Sequence, residues 1–386
     1  MDNKNISRRQ FFGKSILASA LAGAWMTTPV ATKAVAENNA NTAYKAPELS
    51  DKDAWSLVLI PDLQSYMKFE RNQGIAELMI AWISENIEKL HILSAFQLGD
   101  LVEFNGVSQE EVTPKDAARF NQSSAQMWGA VSRVLSRLDG KLPYVVCTGN
   151  HDYGTWSAEN RSTQFPTYFP AYRNSKWNGV LVECCRNRDG NRTLENAAYE
   201  FTTPQGKKLL VISLEFAPSD PVLKWAKELA AKDVYKDHVV MIITHSYLLN
   251  ILCGNNWVEK EGYKVADANY GKAIWEKLVY PSPNIRFVFC GHIADPSDPR
   301  GGVGFRQDKN CAGKTVSQML FDTQALGGGW HGNGGEGWLR LLEFSPDFKK
   351  VSVKTFSPLF AISPTTQQFS FDRAPYNEFT FDIDAD

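Results

Sequence analysis

Cysteine is scarce and unpatterned in this sequence: there are six among 386 residues, with no CxxC pair and no zinc-ribbon spacing. A disulfide framework is thereby excluded as the basis of the fold. Neither sign of charge dominates, since 41 Lys and Arg stand against 43 Asp and Glu for a formal charge of −2. That balance removes any global electrostatic case for nucleic acid as a partner. Long hydrophobic runs are missing as well. The conspicuous apolar run at residues 16–26 is too short, and too rich in Ala and Gly, to be a stable membrane span. No internal repeat is present. What the chain does have is 43% hydrophobic and 12% aromatic residues, a composition that excludes a disordered or collagenous protein. Its length allows one large domain or two ordinary ones, either with a sizeable core.

The N-terminus reads Ser7-Arg8-Arg9-Gln10-Phe11-Phe12-Gly13-Lys14, then the apolar run, then Pro29 and the small-residue triplet Ala34-Val35-Ala36. A basic start, a short apolar middle and a small-residue exit describe a secretory signal. The alternative is an anchor that stays attached. The paired arginines before Phe-Phe resemble the twin-arginine signal of bacteria, which implies the twin-arginine export machinery as a partner and a periplasmic or secreted location. The expected division is a signal at 1–36, a linker at 37–54, a catalytic domain at 55–360 and an acidic tail at 361–386, either loosely packed or added to a sheet as a strand. Export would permit disulfides, but Cys147 and Cys290 fall inside apolar runs and read as buried free thiols, while Cys184, Cys185, Cys253 and Cys311 fall in expected loops.

From Trp55 onward short apolar runs alternate with segments of helical period. Residues 55–61, 93–98, 143–148, 208–214, 238–244 and 286–290 read as strands, several continuous enough to be covered on both faces. Ile75, Leu78, Met79, Trp82, Ile83, Ile87 and Leu90 form the stripe of a first helix. A second is expected from Thr113-Pro114 and a third from Asp220-Pro221, a cap residue followed by proline in each case. Residues 174–193 read as a polar excursion from the sheet, 294–314 as a loop rich in Asp, Pro and Gly, and 338–356 as a closing hairpin. This alternation predicts an α/β fold with a largely buried sheet.

The chemistry gathers where polar residues interrupt the strands. Five apolar runs end, in order, in Asp62-Leu63-Gln64, Gly99-Asp100, Gly149-Asn150-His151-Asp152, His245 and Gly291-His292. In open α/β sheets, loops at the C-terminal strand ends converge on one crevice. A single Gly-Asp is usually a turn; five such endings in chain order point to a site.

The order Asp-x-Gln, Gly-Asp, Gly-Asn-His-Asp, His, Gly-His resembles the calcineurin-like metallophosphoesterases over residues 55–360. The resemblance implies a central β-sandwich flanked by helices, a four-layer α/β/β/α arrangement, with two divalent metal ions at the strand ends. It implies that Asp100 bridges both, that Asp62 and Gln64 serve the first and Asn150, His245 and His292 the second, and that His151 assists the leaving group with Asp152 orienting it. Imidazole with carboxylate and amide oxygen favours Mn, Fe or Zn. Such a pair activates water and clamps phosphoryl oxygens, so the expected reaction is hydrolysis of a phosphate mono- or diester of a small molecule or lipid.

Two departures stand out. Gln64 replaces the family's more frequent histidine, and Ala294 stands where a closing Gly-His-x-His motif would place a second imidazole. The first site is therefore expected to bind more weakly, with Asp295, Asp298, Asp322, Gln324 or His331 as substitutes; His331, in a glycine-dense loop, is a further candidate site residue. Arg173, Arg186, Arg188 and Arg192 could clamp an anion, or simply lie on a solvated loop. The competing readings are a phosphate-compound-binding protein on the same fold with weakened catalysis, and a structural envelope protein.

Overall fold

A computed structural model describes residues 44–187 and 189–384. The predicted export segment lies outside these residues, as does Arg188.

The chain forms two mixed seven-stranded sheets. The first contains β1 (Trp55–Ile60), β2 (Ile92–Gln97), β3 (Val145–Val146), β11 (Leu339–Phe344), β12 (Lys350–Phe356), β13 (Phe371–Asp372) and β14 (Phe379–Asp382). Its order is β13-β12-β11-β1-β2-β3, with β14 also on β12. The second contains β4 (Leu181–Arg186), β5 (Arg192–Thr202), β6 (Lys208–Ser213), β7 (Val239–Ile243), β8 (Ile285–Cys290), β9 (Val303–Lys309) and β10 (Thr315–Phe321), in the order β4-β5-β6-β7-β8-β10-β9.

The period of two along a strand explains why the second sheet is apolar on both faces. In β6, Leu209 and Val211 enter the core shared with β1, β2 and β11, whereas Leu210 and Ile212 enter a separate core beneath a helix. Phe96 of β2 meets Phe289 of β8 between the sheets, ring centroids 6.0 Å apart. Three longer helices cover the outer faces: α1 (Glu70–Glu85), α2 (Ser124–Leu135) and α3 (Asp220–Ala230). Met79, Ile80 and Ile83 of α1 and Met127, Val131 and Val134 of α2 close on the first sheet, and Val222, Leu223, Ala226 and Leu229 of α3 on the second. The expected α/β architecture, two facing mixed sheets flanked by helices, is what the chain adopts.

Several local expectations are corrected. The second helix starts at Ser124, not near Thr113-Pro114. Ser123 and Gln126 form a reciprocal capping box there, which satisfies the first-turn amides that the 113–114 pair was expected to serve. Residues 174–193 are not a mere excursion: β4 pairs antiparallel with β5, which places Cys184 and Cys185 in a strand. The 294–314 stretch likewise contains β9, paired with β10. Beyond residue 361 the tail takes the strand-adding form of the two expected, with β13 and β14 extending the outer edge of the first sheet. Near the start of the described chain, Tyr44 and Leu49 pack on the core, and the Ser50 amide donates to Glu343 Oε1 at 2.6 Å. The 338–356 hairpin forms as β11 and β12.

Strands β1, β2 and β3 run parallel, as do β6, β7, β8 and β10. Asp62, Asp100, Asn150, His245, His292 and Asp322 each follow one of these strands, so parallel direction brings their loops to the same end of the sandwich.

Candidate metal centre and active site

The six motif residues converge. Asp62, Gln64, Asp100, Asn150, His245 and His292 are all buried. Ligand atoms of Asp100, His245 and His292 lie within 4.8 Å of one another, and the two imidazole rings are 4.9 Å apart. Asp100 is central. Its Oδ1 accepts the His151 backbone N–H at 2.9 Å, its Oδ2 accepts Gln64 Nε2–H at 2.9 Å, and His245 Nε2 stands 3.1 Å from the same oxygen. The Asp62 carboxylate accepts the His292 backbone N–H at 3.2 Å and Gln324 Nε2–H at 3.1 Å.

The backbone is shaped for this convergence. Asp100 and His292 have φ of +52° and +78°, the left-handed region that non-glycine residues seldom enter. Gly149 is required by space rather than by φ. A Cβ there would overlap Asp100 Oδ1 and its amide nitrogen and come 2.6 Å from His245 Nε2. Gly149→Ala is therefore expected to displace both side chains, costing about 1–3 kcal/mol of stability by overpacking together with bound metal. Denaturant unfolding and metal analysis check this; a variant with native stability and metal content would contradict it.

The electrostatics show three carboxylates sharing a buried site. Burial, then the charges of Asp322 and Asp100, push the Asp62 carboxyl well above its usual range. Burial pushes Asp322 up to about 6 against hydrogen bonds from Gln324. Burial also acts to raise Asp100, but the neighbouring His245 and His151 reverse this and hold it well below the ordinary carboxylate value. For His245 the order is mirrored: burial lowers it, and Asp100 more than compensates, so the imidazole is raised.

Three buried atoms of this cluster, Gln64 Oε1, Asn150 Oδ1 and His245 Nε2, have no hydrogen-bond partner among the described residues. Each is a lone-pair donor. Ser157 Oγ takes Asn150 Nδ2–H at 2.8 Å, which fixes the amide nitrogen and leaves the oxygen as the coordinating atom. His245 Nδ1 is bonded to the Leu98 carbonyl at 2.7 Å, so the Nε2 side is again the donor. Unsatisfied buried donors of lone pairs beside repelling carboxylates are what a divalent cation relieves; the residues fit the metal ions that the family implies.

The substitutes for the missing histidines are now sorted. Asp322 and Gln324, which follow β10, belong to the cluster: Gln324 Nε2 donates to Asp322 Oδ2 at 2.7 Å and its Oε1 accepts Gln64 Nε2–H at 2.6 Å. Asp295 instead accepts the Ser297 amide at 2.8 Å in its own turn, and Asp298 pairs with Arg300 at 2.7 Å. His331 is exposed and lies edge-on to Phe69, 6.4 Å between centroids, rather than among the ligand atoms. Arg173 is committed to Asp139 at 3.0 Å and Arg186 to the Gly190 carbonyl at 2.6 Å, so neither serves as an anion clamp at this site.

His151 projects at the rim, half-buried, from a single turn (Asn150–Asp152). Its Nδ1 is 2.7 Å from the Glu103 carbonyl oxygen. The direct contact to the ring is thus the Glu103 carbonyl, and Asp152 acts on the turn that carries His151. Asp152 accepts the backbone N–H groups of Gly149, Leu101 and Val102 at 2.7, 2.9 and 3.1 Å, tying the β2 and β3 loops together. Burial, aided by Asp100, pushes it up to about 7. Glu103 is itself anchored by Lys68, whose ammonium is 3.1 Å from its carboxylate although the lysine side chain is only 2% exposed.

Two facing mixed sheets with a buried carboxylate–imidazole–amide cluster at their parallel strand ends are the arrangement of a metallophosphoesterase domain. The chain belongs to the calcineurin-like phosphoesterase family, whose model matches residues 60–296. It is 27% identical over 336 residues to the uncharacterized protein YvnB of Bacillus subtilis (strain 168), a match covering 85% of this chain and 22% of that protein's length. The solved structure of GAP50, the anchor in the inner membrane complex of Plasmodium, overlaps at a TM-score of 0.40 with 10% identity, over 86% of this chain and 89% of that one. An overlap at that score carries no argument. Among the described residues no helix is long and apolar enough to cross a membrane.

Proposed function

We propose that this protein is an exported metal-dependent hydrolase of phosphate mono- or diesters, holding two divalent ions, with His151 serving the leaving group. The observation that carries the reading is the set of buried lone-pair atoms with no hydrogen-bond partner among the described residues, Gln64 Oε1, Asn150 Oδ1 and His245 Nε2, beside the Asp100, His245 and His292 ligand atoms that lie within 4.8 Å of one another. Asp62, Gln64 and Asp100, joined by Asp322 and Gln324, would hold one ion; Asp100, Asn150, His245 and His292 would hold the other. When bound, such ions polarise phosphoryl oxygens and lower the pKa of water.

The chain's own residues supply the rest. A carbonyl can only accept, so His151 donates Nδ1–H to Glu103, and it is the second proton of the imidazolium form, on Nε2, that passes to the departing oxygen and leaves the neutral ring. Lys68 holds Glu103, and Asp152 holds the turn that presents the ring. The Arg8-Arg9 segment with its apolar run supports periplasmic or secreted delivery; sequencing the mature N-terminus of protein recovered from cell fractions tests it. A panel of nitrophenyl and alkyl mono- and diesters, assayed with added Mn, Fe or Zn, tests the activity. Absence of turnover on every ester with every metal would defeat the reading.

Metal removal should leave a pH signature. Asp62 and Asp322 have carboxyl groups raised by burial in the metal-free fold, and His245 is raised by Asp100. A raised group contributes stability that is complete below its unfolded pKa and is lost as pH climbs through the folded value. The chelated protein should therefore lose stability from about pH 4 upward through about 6 and about 7, the folded values of Asp322 and Asp152, with the His245 contribution lost only above its unfolded value of about 6.5. Added divalent ion should restore it most at neutral pH and above. Melting curves with and without chelator at pH 5 and pH 8 measure this; an equal effect of chelation at both values would contradict it.

A further inference from the structure

Glu261 lies in the irregular stretch at residues 254–270 between β7 and β8, away from every strand end. The base of that stretch is pinned by a Leu248–Trp257 bridge and by the Val258 amide donating to the Tyr247 carbonyl at 2.9 Å. Its carboxylate reaches back into the site. Oε1 is 2.8 Å from His292 Nε2, and Oε2 accepts Ser246 Oγ–H at 2.8 Å. Ser246 directly follows His245, so one carboxylate joins the ring of one proposed ligand to the neighbour of another. The Glu261 side chain is only 14% exposed, an uncommon degree of burial for glutamate unless it is paired.

An ionised carboxylate is acceptor-only, so the proton shared with His292 belongs to Nε2. That assignment makes Nδ1 the lone-pair nitrogen of the neutral ring, the form in which imidazole binds a cation. A carboxylate on the far nitrogen of a ligating histidine fixes the ring and raises its basicity. We propose that Glu261 is a positioning residue of the metal centre: with Ser246 it holds His292 in the tautomer and orientation that a divalent ion requires, and so makes metal affinity depend on the 254–270 segment. This rests on the metal-dependent reading above.

The test uses the full chain, stripped with chelator and titrated with Mn(II) or Zn(II) against a chromophoric competitor, with melting temperature measured on the metal-free form. Glu261→Ala is expected to weaken metal binding by about 10–100-fold while turnover at saturating metal stays within a few-fold of wild type. Glu261→Gln keeps an oxygen acceptor for His292 and is expected to fall between the two. Wild-type affinity in both variants overturns the proposal, and so does unchanged affinity with reduced turnover, which would place Glu261 on the substrate instead. Equal losses of affinity in both variants that track equal falls in metal-free melting temperature also overturn it, because they mark a packing role. A wild-type chain that binds neither ion, with Asp100→Asn indistinguishable from it, defeats the metal-dependent reading itself and this proposal with it.

Discussion

Asp100→Asn should lower phosphoester turnover by about 10³-fold or more and release bound metal, while leaving the fold intact. The substitution conserves shape, removes the charge and turns one acceptor oxygen into an amide donor. That charge faces His245 Nε2 at 3.1 Å and Gln64 Nε2 at 2.9 Å, closer to His245 than Asp62 comes at 3.9 Å. Lewis-acid assistance from divalent ions amounts to several kcal/mol of transition-state stabilisation, and each 1.36 kcal/mol corresponds to about tenfold in rate. Steady-state rates on nitrophenyl esters with saturating Mn, together with metal content, decide the matter. A variant that retains both full metal and near-native rates would show that the centre is not where the reaction occurs.

The second large effect belongs to His151, and its size should depend on the leaving group. His151→Gln removes the proton donor at Nε2 while retaining a polar side chain beside the Glu103 carbonyl. For an alkyl ester, whose departing alkoxide is strongly basic, general acid help is worth ~10²–10⁴-fold, and a loss of that order is expected. Nitrophenolate departs without needing a proton, so the same variant should lose far less on a nitrophenyl ester. Parallel rate measurements on the two ester types provide the readout. Equal losses on both would assign His151 to binding rather than to protonation.

Much of the site was legible because each of its main residues is announced locally. An apolar run followed by Asp, Gly-Asp, Asn-His-Asp or Gly-His is a short-range signal, and Asp322-Thr323-Gln324 after the run that becomes β10 carries the same one. The choice among Asp295, Asp298, Asp322, Gln324 and His331 was not legible, since it depends on which loop folds back. Gln64 and Gln324 meet at 2.6 Å across 260 residues of chain, whereas Asp295 is consumed by Ser297 only two residues away. Local side-chain-to-backbone bonds compete with long-range ones, and spacing cannot announce which will win.

Asp152 shows the same boundary from the other side. Next to His151 in the sequence, it invites an orienting role. The tight turn at 150–152 instead directs it at three backbone amides, while the Glu103 carbonyl takes the imidazole. The second helix start failed for a related reason: Thr113-Pro114 has the composition of a cap, but Ser123 with Gln126 satisfies more amide donors ahead of an apolar stripe.

By itself, then, the order of apolar runs and polar interruptions determined an α/β protein with its reactive groups at one end of parallel strands, because strand period and strand ends are written in consecutive residues. Only the tertiary structure decided which carboxylates share the buried space around Asp100, that Glu103 rather than Asp152 steers His151, and that Glu261 reaches His292 from an irregular segment. Those pairings join loops brought together by sheet stacking, and the free energy that selects them, desolvation set against hydrogen bonding and charge, exists only once the two sheets have closed.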